Sequence, residues 1–184
     1  MLLQYETRRL ILKVLGPDYC HDVLRFYLND KELFEQYEAE RSSNFYTSEY
    51  HRTILQLEYN LTLKLAQVRF YVFLKEDPDT MIGTVCLYDI SKSYAKADLG
   101  YKFSSQFHHK GYASEAVEKL LDIAFTELHL HRISAHVKED NIPSLRLLVG
   151  LGFEKEGLCR DYLRIDGIWT DHLQYSLIAP DLSL

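Results

Sequence analysis

The segment from Tyr101 to Leu121, YKFSSQFHHKGYASEAVEKLL, has the residue pattern of an anion-binding turn between a strand and a helix. The start of a helix leaves backbone N–H groups without intrahelical acceptors, and together with the helix dipole these groups favour a bound anion such as a pyrophosphate. Gly111 would let a ligand approach the backbone closely, and the small Ala113 keeps the first helical turn free of bulk. The segment contains neither a Walker loop nor the G-x-G-x-x-G of a Rossmann turn, so a helix start without a ligand is an equal alternative.

Further motifs follow this turn in a fixed order. They are G-Y-A-S-E-A (111–116), R-I-x-A-x-V (132–137), N-x-x-S (141–144) and L-G-F-x-x-E-G (151–157). In this order and spacing they resemble the motifs of the GNAT superfamily of N-acetyltransferases, and within it the RimJ/RimL-type branch of ribosomal-protein N-terminal acetyltransferases. The resemblance is strong over residues 97–157 and looser at both ends, where T-x-R-L-x-L (7–12) and Asp171 also suit the branch.

The resemblance implies both a fold and a cofactor. The fold is α/β, with a mixed, mostly antiparallel sheet that splays between two central parallel strands and is flanked by helices. The pantetheine arm of acetyl-CoA lies in that opening, and coenzyme A is the product. By position, the backbone of Phe103 should contact the pantetheine, and Asn141 should hydrogen-bond the arm beyond the second parallel strand. The loop amides that should hold the pyrophosphate belong to His109, Lys110, Gly111, Tyr112, Ala113 and Ser114.

Two loop residues depart from the family pattern. His108 stands where Gln or Arg is usual, and His109 replaces a frequent Gly. Because both positions act mainly through the backbone, we expect cofactor binding to survive, with some pH sensitivity from the imidazoles. The alternative is that both are simply exposed loop residues. No metal is expected, since relatives need none and no carboxylate or thiol accompanies the histidines at ligand spacing.

The resemblance also points to residues that move protons. Acetyl transfer needs a neutral amine and a thiolate that can leave, without a covalent enzyme intermediate, so we predict direct attack by the amine. Ser144 is the predicted proton donor to the thiolate, although it or Asn141 could instead cap the short helix that follows. Asp98 is the preferred general base, its alternative being a strand carboxylate that faces solvent. Related enzymes carry a Glu where Leu163 stands here, and Asp161 is a weaker candidate nearby.

The acceptor is predicted to be a primary amine, first of all that of a protein or peptide N-terminus. Candidate lining residues from the first half of the chain and the last hairpin are Glu35, Tyr37, Tyr88, Tyr162 and Trp169. Asp171 is either a further contact or, as we favour, a residue that orients a strand. Two other functions stay open. One is acetylation of a small-molecule amine such as a polyamine, an aminoglycoside or an amino acid. The other is a non-catalytic acyl-CoA-binding sensor, which Leu163 favours and Asn141 and Ser144 oppose.

Hydrophobic periodicity predicts the elements that position these residues. Strands are predicted at 7–14, from 69, from 81, at 96–103, 131–137, 153–165 and 168–178. Helices are predicted from residue 18 to about residue 29, at 48–66, around 113–128 and at 143–151. Loop and irregular helix are predicted over 31–47. The order β-α-α-β-β-β-α-β-α-β-β indicates a mixed sheet flanked by helices.

Length and composition limit the remaining possibilities. A chain of 184 residues indicates one domain spanning 1–184, and its net charge of −6 argues against nucleic-acid binding. No apolar run approaches the roughly 20 residues that cross a bilayer, and the N-terminus has no secretory pattern. The widely spaced Cys20, Cys86 and Cys159 fit free thiols in a reducing compartment. We therefore predict a cytoplasmic monomer or homodimer without membrane or nucleic-acid partners.

Overall fold

The computed structural model describes residues 1–180, and within them the strands form one eight-stranded mixed sheet. The strands are β1 (Gln4–Glu6), β2 (Leu10–Lys13), β3 (Val68–Leu74), β4 (Met81–Ser91), β5 (Lys96–Phe103), β6 (Arg132–Lys138), β7 (Glu154–Ile165) and β8 (Ile168–Ile178). Their order across the sheet is β1-β2-β3-β4-β5-β6-β8-β7. Every neighbouring pair is antiparallel except β5 and β6, which are parallel. The predicted mixed, mostly antiparallel sheet is confirmed.

Helices cover both faces of the sheet. They are α1 (Cys20–Asn29), α2 (Lys31–Glu35), α3 (Ser48–Leu63), α4 (Tyr112–Asp122) and α5 (Ile142–Gly150), with a π-helical turn over Ile123–Glu127 extending α4. Cores on the two faces are separate: one includes residues of α1, α2 and α3, and the other residues of α4 and α5. We call these faces the α1 face and the α4 face. No helix within residues 1–180 has the length and the hydropathy needed to cross a bilayer.

The structure corrects the predictions for two elements near the N-terminal half. The strand expected over 7–14 begins only at Leu10, as β2, and a strand that was not predicted, β1, precedes it; the two are joined by a turn in which the Thr7 amide donates to the Leu10 carbonyl at 3.0 Å. Helix α3 ends at Leu63 rather than near residue 66, because Leu65 adopts a left-handed backbone with φ of 53°. The turn at Thr7 proves important for the cofactor loop described below.

Strands β5 and β6 form a fork in the middle of the sheet. They pair only from Lys96 to Asp98 and from Arg132 to Ser134. Beyond that point β5 stays paired with β4, and β6 stays paired with β8. Gly83 helps to hold the end of β5 against β4, because a Cβ atom there would lie 2.4 Å from the Phe103 ring. The predicted splay between two parallel strands is therefore present, and it opens after Asp98.

The pleat of β5 sends alternate side chains to opposite faces of the fork. Leu99 and Phe103 are buried in the core of the α4 face. Lys102 lies on the α1 face, where its Nζ sits 4.8 Å from the centroid of the Tyr27 ring of α1. Asp98 has the same parity as Lys102, so its side chain lies on the α1 face as well. The two predicted proton-transfer residues are thereby separated, because Ser144 belongs to α5 on the other face.

His51 of α3 is a titratable group buried on the α1 face, with only 2% of its surface exposed. Its ring stacks on Tyr27, with centroids 5.2 Å apart, and contacts the edge of Phe45. Burial lowers the pKa of His51 to about 4, and the positive charge of Arg41 contributes to the lowering. An unfolded histidine titrates near ~6.5, so only the unfolded chain takes up this proton as the pH falls from there. The stabilising contribution of neutral His51 is present above that pH and is lost toward pH 4.

His51→Phe is expected to reduce the acid sensitivity of the fold, since phenylalanine keeps the ring stack but does not titrate. Between pH 7 and pH 4.5 the free energy of unfolding should fall by about 2 kcal/mol less in His51→Phe than in the wild type. Urea unfolding at several pH values measures this difference. His21→Phe, at an exposed position of α1, serves as the control. Parallel pH curves for wild type and His51→Phe would show that His51 is not the group responsible.

Candidate active site

The loop between β5 and α4 has a backbone that suits an anion. After a short 3-10 turn at Ser105–Phe107, the chain passes through two left-handed residues, His109 (φ 59°) and Gly111 (φ 76°). Among residues 1–180, the backbone amides of His109 through Ser114 find no hydrogen-bond acceptor. The first hydrogen bond of the helix runs from the Glu115 amide to the Gly111 carbonyl at 3.2 Å. This run of free N–H groups at a helix N-terminus fits a pyrophosphate group.

His108 connects this loop to the end of β5. Its Nε2 lies 2.9 Å from the Phe103 carbonyl oxygen, so Nε2 carries a hydrogen and donates it. His108 is half-buried, whereas His109 is exposed. The two histidines are therefore not equivalent, and the alternative of simple loop exposure suits His109 alone. The Phe103 carbonyl thus already accepts one hydrogen bond, and the contact of the Phe103 backbone with the pantetheine stays a prediction.

The turn between β1 and β2 fixes the position of the loop from the other side. Glu115 of α4 accepts hydrogen bonds from the Thr7 hydroxyl at 2.6 Å, the Arg9 amide at 2.7 Å and Arg9 Nε at 2.6 Å. Arg9 also donates to the Lys110 carbonyl at 2.9 Å, and its guanidinium lies 4.5 Å from the centroid of the Tyr112 ring. Burial alone would raise the pKa of Glu115, but the bonds from Thr7 and Arg9 lower it below its ordinary value.

Glu115→Gln is expected to weaken acetyl-CoA binding about tenfold, because the loop loses the ionic bond that holds Arg9 against the Lys110 carbonyl. Calorimetric titration with acetyl-CoA gives the dissociation constant. Glu118→Gln, at an exposed position one turn along α4, should bind as the wild type does. Equal affinities for all three proteins would mean that the loop keeps its shape without this bond.

On the α4 face of the fork, α5 presents the N-x-x-S motif. The Asn141 side chain accepts a hydrogen bond from the Ser144 amide at 3.2 Å and so caps α5, as the structural alternative for this residue anticipated. Ser144 Oγ lies 2.5 Å from the hydroxyl of Tyr101 on β5. The Tyr101 hydroxyl oxygen also lies 3.3 Å from the Ser144 carbonyl oxygen, so the single phenolic hydrogen has two acceptors within reach on Ser144. The roles of Asn141 and Ser144 toward the cofactor stay predictions.

Tyr101 is a site residue that the sequence analysis missed. Burial raises its pKa to about 12, while the hydrogen bond with Ser144 acts in the opposite direction. The phenol therefore stays protonated at neutral pH. Its position in β5 contained a usable indication, because Tyr101 has the same strand parity as the core residues Leu99 and Phe103 and lies within the segment where the sheet was expected to splay.

On the α1 face, Asp98 lies where the fork opens. It is half-buried, pairs in register with Tyr88, and its carboxylate has no hydrogen-bond partner among residues 1–180. Burial raises the pKa of Asp98. Nearby His136 lowers this pKa, and nearby Asp89 raises it further. The carboxylate is therefore free to receive a ligand group, and its environment makes it a better proton acceptor than an ordinary aspartate.

His136 of β6 is a second titratable group at this opening, and the sequence analysis did not select it. Its ring stacks on Tyr162 with centroids 4.4 Å apart, and its buried Nδ1 has no hydrogen-bond partner among the described residues. Burial lowers the pKa of His136, although Asp98 acts in the opposite direction. Tyr162 also contacts His172, which is buried in β8. Of the predicted acceptor residues, the structure thus brings Tyr88 and Tyr162 to Asp98.

The remaining acceptor candidates lie elsewhere or have structural partners. Glu35 accepts a hydrogen bond from the Tyr46 hydroxyl at 2.7 Å, and Trp169 is 59% exposed near the tip of the β7–β8 hairpin. Asp171 accepts a hydrogen bond from the Asp161 amide at 2.8 Å, which supports the view that it orients a strand. Tyr37 lies near the end of β6, with Lys138 Nζ 5.9 Å from its ring centroid. Leu163 pairs with Thr170 in the same hairpin.

A sheet that forks beside a helix start with free amides has the geometry to hold an acyl-CoA thioester. Residues 9–154 match the family described as the acetyltransferase (GNAT) domain. The chain therefore belongs to the GNAT acetyltransferase family. As predicted, it is an N-acetyltransferase that uses acetyl-CoA.

Individual relatives agree with this assignment. A probable N-acetyltransferase, YjcK, from Bacillus subtilis is 38% identical over 154 residues, which is 83% of this chain and 84% of the relative. The structure of a ribosomal-protein-S5-alanine acetyltransferase from Vibrio fischeri superposes with a TM-score of 0.92 at 27% identity, covering 100% of both chains. Mycobacterium smegmatis RimJ in complex with CoA-disulfide has a TM-score of 0.87 at 26% identity, covering 95% of this chain and 84% of RimJ.

Proposed function

We propose that this enzyme acetylates the α-amino group of a protein or peptide N-terminus, by direct attack of the amine on acetyl-CoA. The free carboxylate of Asp98 at the opening of the fork carries the proposal, because it is where an ammonium group can bind and lose its proton. Similarity over the full length to an enzyme that acts on ribosomal protein S5 supports a protein N-terminus as the acceptor. Such an acceptor agrees with the cytoplasmic location expected from the sequence.

The residues at the fork divide the work of the reaction between the two faces. Acetyl-CoA supplies the thioester that the amine attacks. Asp98 accepts the proton of the incoming amine from the α1 face, with neutral His136 nearby as a second acceptor. Ser144 donates a proton to the departing thiolate from the α4 face. The amides of His109 through Ser114 hold the pyrophosphate, so the two reacting groups meet in a defined geometry.

Charge pairing around Asp98 favours an acceptor with one positive charge at the reacting end. Three cations of the surrounding strands are already paired: Arg132 with Glu156, Lys102 with Glu38, and Lys138 with Asp140 at 2.8 Å. Lys96, which also lowers the pKa of Asp98, has an exposed side chain. Asp98 is therefore the half-buried acid left for a ligand cation, and the groups beside it are aromatic rings and neutral histidines. A peptide N-terminus presents one ammonium group followed by an uncharged backbone, and it matches this arrangement.

A second candidate acceptor is a polyamine, which carries several positive charges. Asp89 favours it, since this exposed carboxylate lies close enough to Asp98 to raise the pKa of Asp98. Two neighbouring acids suit a polycation better than a peptide. The non-catalytic sensor remains the third alternative, because Leu163 replaces the glutamate of related enzymes.

A thioester-cleavage assay with a panel of amines tests these proposals. Short peptides that begin with Ala, Ser or Met should be acetylated on the α-amino group, as mass spectrometry of the products would show, whereas the same peptides with a blocked N-terminus should be inert. Preferential use of spermidine, reduced in Asp89→Asn, would instead support the polyamine acceptor. Binding of acetyl-CoA without acetylation of any amine in the panel would favour the sensor.

A further inference from the structure

The contact between Tyr101 and Ser144 joins two elements that are distant in the chain. Tyr101 lies in β5 and Ser144 in the first turn of α5, yet their hydroxyl oxygens are 2.5 Å apart. The Ser144 amide donates a hydrogen bond to the Asn141 side chain, which caps the first turn of α5 and so fixes it. Ser144 is therefore held through its side chain by Tyr101 and through its backbone by Asn141.

We propose that Tyr101 is a positioning residue that orients the Ser144 hydroxyl toward the coenzyme A sulfur. This inference rests on the proposed role of Ser144 as proton donor. A serine hydroxyl has one hydrogen to donate and two lone pairs to accept with. The Tyr101 phenol has one hydrogen, and because a phenol is a more acidic donor than an aliphatic hydroxyl, this hydrogen is assigned to the shorter contact, with Ser144 Oγ at 2.5 Å, and not to the Ser144 carbonyl at 3.3 Å. The hydrogen of Ser144 is then left for another acceptor, and the thiolate is the acceptor that the reaction creates.

The proton balance of this step involves the serine and one water. As the C–S bond breaks, the Ser144 O–H bond breaks and an S–H bond forms, while water gives a proton to Ser144 Oγ; the resulting hydroxide takes up the proton that Asp98 removed from the amine. The Tyr101 O–H bond stays intact, because burial raises the pKa of Tyr101 to about 12 and the phenol does not ionise at neutral pH. A donated hydrogen bond also withdraws electron density from Ser144 Oγ and makes the serine a better donor.

Titration of the bound thiol tests this inference without an acceptor. The ultraviolet absorbance of the thiolate is followed against pH for coenzyme A bound to the protein, with desulfo-coenzyme A on the same protein as the reference. Tyr101→Phe and Ser144→Ala should each lower the acid dissociation constant of the bound thiol by about tenfold relative to the wild type. The double variant should show no more than either single change, because both remove the same interaction.

Tyr5→Phe is the matched control for the loss of a buried phenol. Tyr5 is 8% exposed and its hydroxyl donates to Glu127 at 2.6 Å, but it lies on β1 and bonds the far end of α4. This variant should leave the thiol titration unchanged. With an active acceptor, Tyr101→Phe should lower kcat about tenfold while the KM for acetyl-CoA stays within about twofold.

The possible results separate the two proposals. A wild-type titration curve in Tyr101→Phe, or additive effects in the double variant, would overturn the role of Tyr101. The expected thiol shifts without acetylation of any amine would support Tyr101 and refute the proposed transferase acceptor. Absence of coenzyme A binding by calorimetry would overturn both.

Discussion

Gly111→Trp is expected to weaken acetyl-CoA binding by at least about 100-fold. Two effects act together at this position. A Cβ atom at position 111 would lie 3.4 Å from Arg9 Nη2, so the indole would displace the side chain that holds the loop whose amides are proposed to bind the pyrophosphate. In addition, Gly111 has a φ of 76°, a conformation that costs a residue with a side chain roughly 1–2 kcal/mol. Calorimetric titration with acetyl-CoA measures the loss.

Gly167→Trp separates these two effects. Gly167 has a φ of 75° in the turn of the β7–β8 hairpin, so tryptophan there meets the same backbone penalty away from the loop. We expect this variant to lose a similar amount of stability and to keep its affinity for acetyl-CoA. Wild-type affinity in Gly111→Trp would mean that the pyrophosphate does not lie on this loop, and equal losses in both variants would point to a general effect of strain.

Asp98→Asn is expected to lower kcat by about 100-fold to 1,000-fold, in the range for removal of a general base. Asparagine has the shape of aspartate but accepts no proton from the amine. Binding of acetyl-CoA should be unaffected, since Asp98 faces the α1 side of the fork. In the wild type, protonation of Asp98 should reduce the rate as the pH falls. Because burial raises the pKa of Asp98, this decline should begin at a higher pH than for an exposed aspartate, and it should be absent in Asp98→Asn.

Asp161→Asn provides the comparison, since Asp161 was the weaker candidate for the same role. The structure places Asp161 at an exposed position of β7 with a left-handed backbone (φ 48°), and its amide bonds Asp171. We expect its activity to stay within about threefold of the wild type. A large loss in Asp161→Asn together with a small one in Asp98→Asn would reverse the assignment and leave Asp98 as a strand carboxylate. Steady-state kinetics with acetyl-CoA and a peptide whose α-amino group is free measures both.

Residues 97–157 carried most of the information about the fold and the cofactor. Strand β5, the glycine before α4 and the N-x-x-S motif are close together in the chain, and each is a local pattern of residue types. Periodicity was sufficient for α4, because its apolar stripe packs on one side of the sheet. The same reasoning did not find β1 or the turn after it, since the predicted strand began at Thr7, where the structure has the turn.

Contacts between distant parts of the chain were beyond the reach of sequence patterns. The bond between Arg9 and Glu115 spans 106 positions, and that between Tyr101 and Ser144 spans 43. Neither pair has a local spacing that would identify it. The alternation of side chains along β5 predicts that Asp98 lies on the face opposite to Leu99. Which helices cover that face depends on how the chain crosses the sheet. The free carboxylate of Asp98 and its aromatic neighbours could therefore be known only from the three-dimensional structure.

The fork also has a consequence for the order in which the two substrates bind. Under the proposed mechanism the acceptor approaches Asp98 from one side of the sheet, while Ser144 and the helix that holds the pyrophosphate lie on the other. A bulky folded acceptor and acetyl-CoA can then bind and leave without passing each other. Both substrates must be present together for reaction, so initial-rate plots should intersect, and neither product needs to leave before the second substrate binds.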